Sequence, residues 1–98
     1  MIARDGDLLR ITTAMTMETV GPLLDAGTAL FNSGEAEFDL SAVQDVDSAA
    51  LALMFEWMRL ALASNTTLFF SNLPQSLISL ATLYGVLDMI PQRAVSRH

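Results

Sequence analysis
Apolar and polar residues alternate near the start of the chain and then switch to helical spacing. Leu9, Ile11 and Thr13 fall on one side of an extended segment, with Arg10 and Thr12 on the other. That period of two predicts a strand over residues 8–13. Residues 2–4 suit a shorter strand, and the Asp5-Gly6-Asp7 turn favours a hairpin between the two. Val20, Leu23, Leu24, Gly27, Leu30 and Phe31 recur at intervals of three and four, predicting a first helix. Thr16 or Thr19 can cap it, Pro22 is tolerable near its first turn, and Gly34 suits its stop. Residues 37–40 then predict a short strand, residues 48–63 a central helix and residues 66–71 a buried strand around Leu68-Phe69-Phe70. Asn72 and Gln75 have the spacing of a helix start. Leu77, Leu80, Ala81 and Tyr84 form the stripe of that last helix, and Gly85 ends it. A short apolar coda, residues 86–90, precedes Pro91.

The order β-β-α-β-α-β-α predicts an α/β domain with a largely parallel four-stranded sheet and helices packed on it. The N-terminal hairpin makes the sheet mixed. Residues 1–91 form the expected domain, and residues 92–98 the expected flexible tail.

The central helix has an unusual distribution of apolar side chains. At about 100° per residue, Ala49, Ala52, Glu56, Arg59 and Ala63 share one narrow stripe. Leu51, Leu53, Met54, Phe55, Trp57, Met58, Leu60 and Leu62 fill the rest, an arc of roughly 220°. One sheet cannot cover such an arc. Either neighbouring helices cover both flanks, or an outer flank carrying Trp57, Met54 and Met58 docks on a partner.

Composition narrows the function classes. The 98 residues are 52% hydrophobic, yet no run reaches the ~18 apolar residues of a membrane span, since Glu56 and Arg59 interrupt the best one. The N-terminus has an early acidic turn and no long apolar stretch, so a secretory signal is not expected and a cytoplasmic location is. Net charge is −6, and all five cationic residues are scattered Arg. Nucleic-acid binding and electrostatic attachment to anionic lipid are therefore not expected. There is no Cys, and His98 is the one His. Zinc sites, thiol chemistry and a Ser-His triad are excluded on that count, and no metal or cofactor is expected.

What remains is the acidic segment entering the central helix. Asp39, Asp45 and Asp47 resemble a carboxylate cluster, but no substrate-positioning group accompanies them. They read as loop solvation, turn and cap. Ser48, beside Asp47, has three readings. It caps the helix, it is phosphorylated, or its hydroxyl touches another protein. A phosphate there would sit at the positive end of the helix dipole and add about −1.5 to −2 charge beside two Asp residues.

Phe38-Asp-Leu-Ser, Val46-Asp-Ser, the apolar helix and the strand after it resemble a STAS domain over roughly residues 2–90. The stretch from Val46 to Trp57, Phe70-Ser-Asn-Leu-Pro and Leu80-Ala-Thr-Leu-Tyr-Gly-Val look most like the MlaB-type subunit of Mla phospholipid-transport ABC systems. The resemblance implies a non-enzymatic adaptor that binds and regulates the ABC ATPase subunit and helps maintain outer-membrane lipid asymmetry. It implies a cytoplasmic protein, peripheral to the inner membrane through its partner. It maps the partner contact to Ser48 and its surroundings: Asp47, Ala49, Ala50 and Leu51. The alternative it offers is an anti-sigma-factor antagonist, phosphorylated on Ser48 by an anti-sigma kinase. Many antagonists, and some Mla subunits, carry Gly just after this hydroxyl residue, whereas Ala49 and Ala50 stand here. That weakens the kinase-substrate analogy more than the docking one.

Overall fold
Gly6 adopts φ 63°, the positive value needed at the first position of a two-residue hairpin loop. It joins β1 (Ile2–Asp5) to β2 (Leu8–Ile11) in antiparallel register, Asp5 opposite Leu8. In this computed structural model, which describes residues 1–93, α1 (Val20–Thr28), β3 (Glu35–Asp39), α2 (Ser48–Ala63), β4 (Thr67–Ser71) and α3 (Gln75–Leu83) follow. A 3-10 turn over Leu87–Met89 closes the order. The sheet runs β1-β2-β3-β4, with β2, β3 and β4 mutually parallel. The expected mixed, mostly parallel four-stranded α/β sheet is therefore present.

The pleat sorts the strand residues into two faces. Leu9, Ile11, Ala36, Phe38, Leu68 and Phe70 are buried in one core cluster with Leu23, Trp57, Leu77 and Ala81 of the helices. The other face carries Arg10, Glu35, Glu37, Asp39 and Phe69. Arg93 lies 4.1 Å over the Phe69 ring and pairs with Glu35 at 3.0 Å and Glu37 at 3.4 Å.

α2 sits between its neighbours. Phe38 stacks on Trp57 with ring centroids 4.0 Å apart. Gly27 of α1 meets that indole, whose Nε1 donates to the Leu24 carbonyl at 3.3 Å. Trp57 and Met54 are fully buried. The wide apolar arc is thus covered by helices on both sides, and the outward role considered for Trp57 and Met54 is overturned. Met58 is half-buried, and Leu62 alone of the arc is largely exposed, at 80%.

Two local expectations are also corrected. α1 ends at Thr28 rather than at Gly34. The Leu30 and Phe31 amides turn back onto the Gly27 and Thr28 carbonyls, three residues away, and so leave the α-helical ladder. Asn72 is not the cap of α3. It sits at φ 56° and donates its side-chain amide to Asp39, while Pro74 holds the cap position. Of the tail expected from Gln92 onwards, the structure describes Gln92 and Arg93. Gln92 bridges to Phe70, with Phe70 N–H donating to Pro91 and Arg93 N–H donating to Phe70, both at 2.9 Å. The rest of that segment, residues 94–98, lies outside the described residues.

Candidate docking site at the mouth of the central helix
Asp47 organises the entry to α2. Its backbone is extended, at φ −136°, and its Oδ1 accepts from the Ala49 amide at 2.9 Å. This is an N-cap bond that satisfies a helix donor otherwise left without a partner. Its Oδ2 accepts from the Met17 amide at 3.1 Å, so one carboxylate ties two loops together. Backbone bonds reinforce the tie. Met15 N–H donates to Asp45 at 2.9 Å, and Asp47 N–H donates to Met15 at 3.3 Å. The incoming loop is itself braced by Thr19, whose hydroxyl donates to Ala14 at 2.7 Å and accepts from the Thr16 amide at 2.9 Å.

The result is a rigid mount for Ser48. With capping assigned to Asp47, the Ser48 side chain is exposed at the first helical position. Ala49 is half-buried beside it. Ala50 and Leu51, however, are 0% and 6% exposed. Successive residues turn by about 100°, so these two point into the core. Of the five residues expected at a partner contact, Asp47, Ser48 and Ala49 reach the surface; Ala50 and Leu51 do not.

Two features were missed from the sequence. Met17, bonded through its backbone to Asp47, leaves its side chain 76% exposed next to the helix mouth. A cleft of about 230 Å³ also opens between α1 and α2, walled by Val20, Gly21 and Leu24 on one side and Ala49, Ala52 and Glu56 on the other. Small residues at Gly21, Ala49 and Ala52 leave the gap. Gly21 stands 28 positions before Ala49 in the chain, and only the packing shows that they face one another.

The three aspartates do separate jobs. Asp39 is 6% exposed, so it is not a loop-solvating residue as expected. It accepts from the Ser41 amide at 2.9 Å, Asn72 Nδ2 at 2.9 Å and Arg10 Nε at 3.4 Å. Burial pushes its carboxyl up, but these bonds from Asn72, Ser41 and Arg10 outweigh it and hold the pKa below the ordinary value. Asp45 is an exposed loop residue, and Asp47 is the cap. Among the described residues no group of acidic or His side chains is placed to hold a metal ion. No helix among them is long and apolar enough to cross a membrane.

A family model described as "Mlab, STAS domain" matches residues 2–91. The chain belongs to the STAS family. Within it, the chain is 32% identical over 85 residues to the intermembrane phospholipid transport system binding protein MlaB of Haemophilus influenzae. That match spans 87% of this chain and 79% of the relative. A crystal structure from Thermotoga maritima, described as an anti-sigma factor antagonist, aligns with a TM-score of 0.75 over 97% of this chain and 85% of its own. At 14% identity, that likeness concerns the STAS fold alone.

Proposed function
We propose that this Mla-type STAS protein is a non-enzymatic subunit of a phospholipid-transport ABC system. It docks on the cytoplasmic ATPase subunit through the mouth of α2 and regulates it, supporting outer-membrane lipid asymmetry. Its place at the inner membrane comes through that partner. The observation that carries this reading is the 32% identity, over most of the chain, to a protein named for intermembrane phospholipid transport. The mouth of α2 suits docking because Asp47 does the capping, which leaves the Ser48 hydroxyl outward on a fixed mount beside an exposed Met17.

The test is co-purification with the ATPase subunit. Ser48→Arg puts a long cation where a small hydroxyl stood, at an exposed position that the core does not use. Loss of the complex with an unchanged melting temperature is the expected result. A complex that survives the substitution places the contact elsewhere. The exposed hydroxyl is also open to a kinase. Incubation with a cognate anti-sigma kinase and mass spectrometry separates the two readings. Stoichiometric phosphate on Ser48 would favour the antagonist switch.

A further inference from the structure
We infer that the cleft between α1 and α2 takes one aliphatic side chain from a segment of the partner ATPase, and that Arg or Lys residues flank that side chain. This rests on the docking reading above and adds the chemistry of the contact. The cleft argues for the aliphatic group. Its walls at Val20, Gly21, Leu24, Ala49 and Ala52 offer carbon, and a Cβ added at Gly21 would meet nothing within 4 Å. At about 230 Å³ it is below the ~300–1,000 Å³ of small-molecule pockets and suits a side chain better. Met17 extends the apolar surface past the helix mouth.

Charge argues for the flanking cations. Glu35 and Glu37 pair with Arg93, Asp39 with Arg10, and Glu56, on the cleft wall, with Arg59. Among the described residues seven carboxylates take no ion pair: Asp5 and Asp7 lie at the hairpin and Asp88 in the 3-10 turn, whereas Glu18, Asp25, Asp45 and Asp47 lie on the segments that frame the cleft. Glu18 precedes α1, Asp25 lies on it, and Asp45 and Asp47 precede α2. Arg10 and Arg93 stand on the opposite sheet face, and Arg4 on the hairpin donates to Gly6. An acidic rim around an apolar slot complements a basic segment and repels an anionic one. A second copy of this chain docked about a two-fold axis would bring the same carboxylates face to face.

Affinity for the purified ATPase subunit, measured by calorimetry at low and high salt, tests this. Three variants serve: Ala52→Trp, the double reversal Glu18→Lys with Asp25→Lys, and Ser48→Arg. All four positions are exposed, and thermal melts confirm that the variants fold. Ala52→Trp should weaken binding by about a hundredfold at both salt concentrations, because it fills the slot. The double reversal should weaken it about tenfold at low salt and flatten the salt dependence. If the double reversal leaves affinity and salt dependence unchanged while Ser48→Arg abolishes binding, docking stands and the basic partner is refuted. If Ser48→Arg also leaves binding intact, the docking reading itself falls. A homodimer that Ala52→Trp dissolves would make a second copy the occupant and overturn the proposal.

Discussion

At the scale of single residues, Asp47 shows how one side chain serves fold and site together. Its two oxygens hold the Ala49 and Met17 amides, so it starts α2 and fixes the loop beside Ser48. Asp47→Ala loses both bonds. Loss of an N-cap costs about 1 kcal/mol, and the tie to Met17 adds about another. In a domain of this size that corresponds to a fall of roughly 5–15 °C in melting temperature. Asp47→Asn keeps an acceptor oxygen for the cap and should recover about half of the loss. Thermal melts followed by circular dichroism compare the three proteins. Equal melting temperatures for wild type and Asp47→Ala would show that the cap contributes nothing.

At the scale of elements, the closest helix contact depends on Gly27. A Cβ there would lie 2.7 Å from three atoms of the Trp57 indole. The indole cannot easily yield, since it is fully buried and stacked on Phe38. Gly27→Ala should therefore destabilise by about 1–3 kcal/mol of overpacking, which exceeds the ~1 kcal/mol gained in helix propensity. Gly21→Ala, on the same helix with open space around it, should be neutral or stabilising by at most about 1 kcal/mol. Urea titrations of the two variants give the comparison, and equal midpoints would remove Gly27 as the packing determinant. The same contact explains which parts of the chain were legible in advance. Residues 48–63 were read as helix with both ends correct, because the start signal at Asp47-Ser48 is local. The strand alternation of Leu9 and Ile11 is local too. Trp57 was read as able to face outward because periodicity orders residues around a helix without saying what lies beside it. Asn72 was read as a cap because Asn72 and Gln75 have cap spacing. Its amide is instead spent on Asp39, a partner 33 residues away that no short window contains. At the site, Ser48 was legible as a surface residue of the helix start. The cleft was not, since its two walls come from separate helices.

At the scale of the whole molecule, Asp39 links three parts of the fold through one buried charge. Arg10 reaches it from β2, Ser41 from the loop after β3, and Asn72 from the end of β4. Its pKa is lowered in the folded state. A carboxyl depressed on folding binds its proton more readily in the unfolded chain. Its contribution to stability is therefore full above the unfolded pKa, about 3.9, and is lost as pH falls through the lower folded value. Glu56 is also lowered, by Arg59, but that pair is exposed and solvent-screened, so it adds little to this effect. The acid limb of the stability curve should thus carry the mark of Asp39. Asp39→Asn should lower the urea midpoint at neutral pH, because it removes the charge that Arg10 and the Ser41 amide face. As pH falls through the lowered folded value the wild type loses the same charge, and the two midpoints should converge. Urea unfolding at a series of pH values from neutral down to about 2.5 measures the gap. Curves that stay parallel throughout would mean that the Asp39 charge is not what holds these three strand ends together.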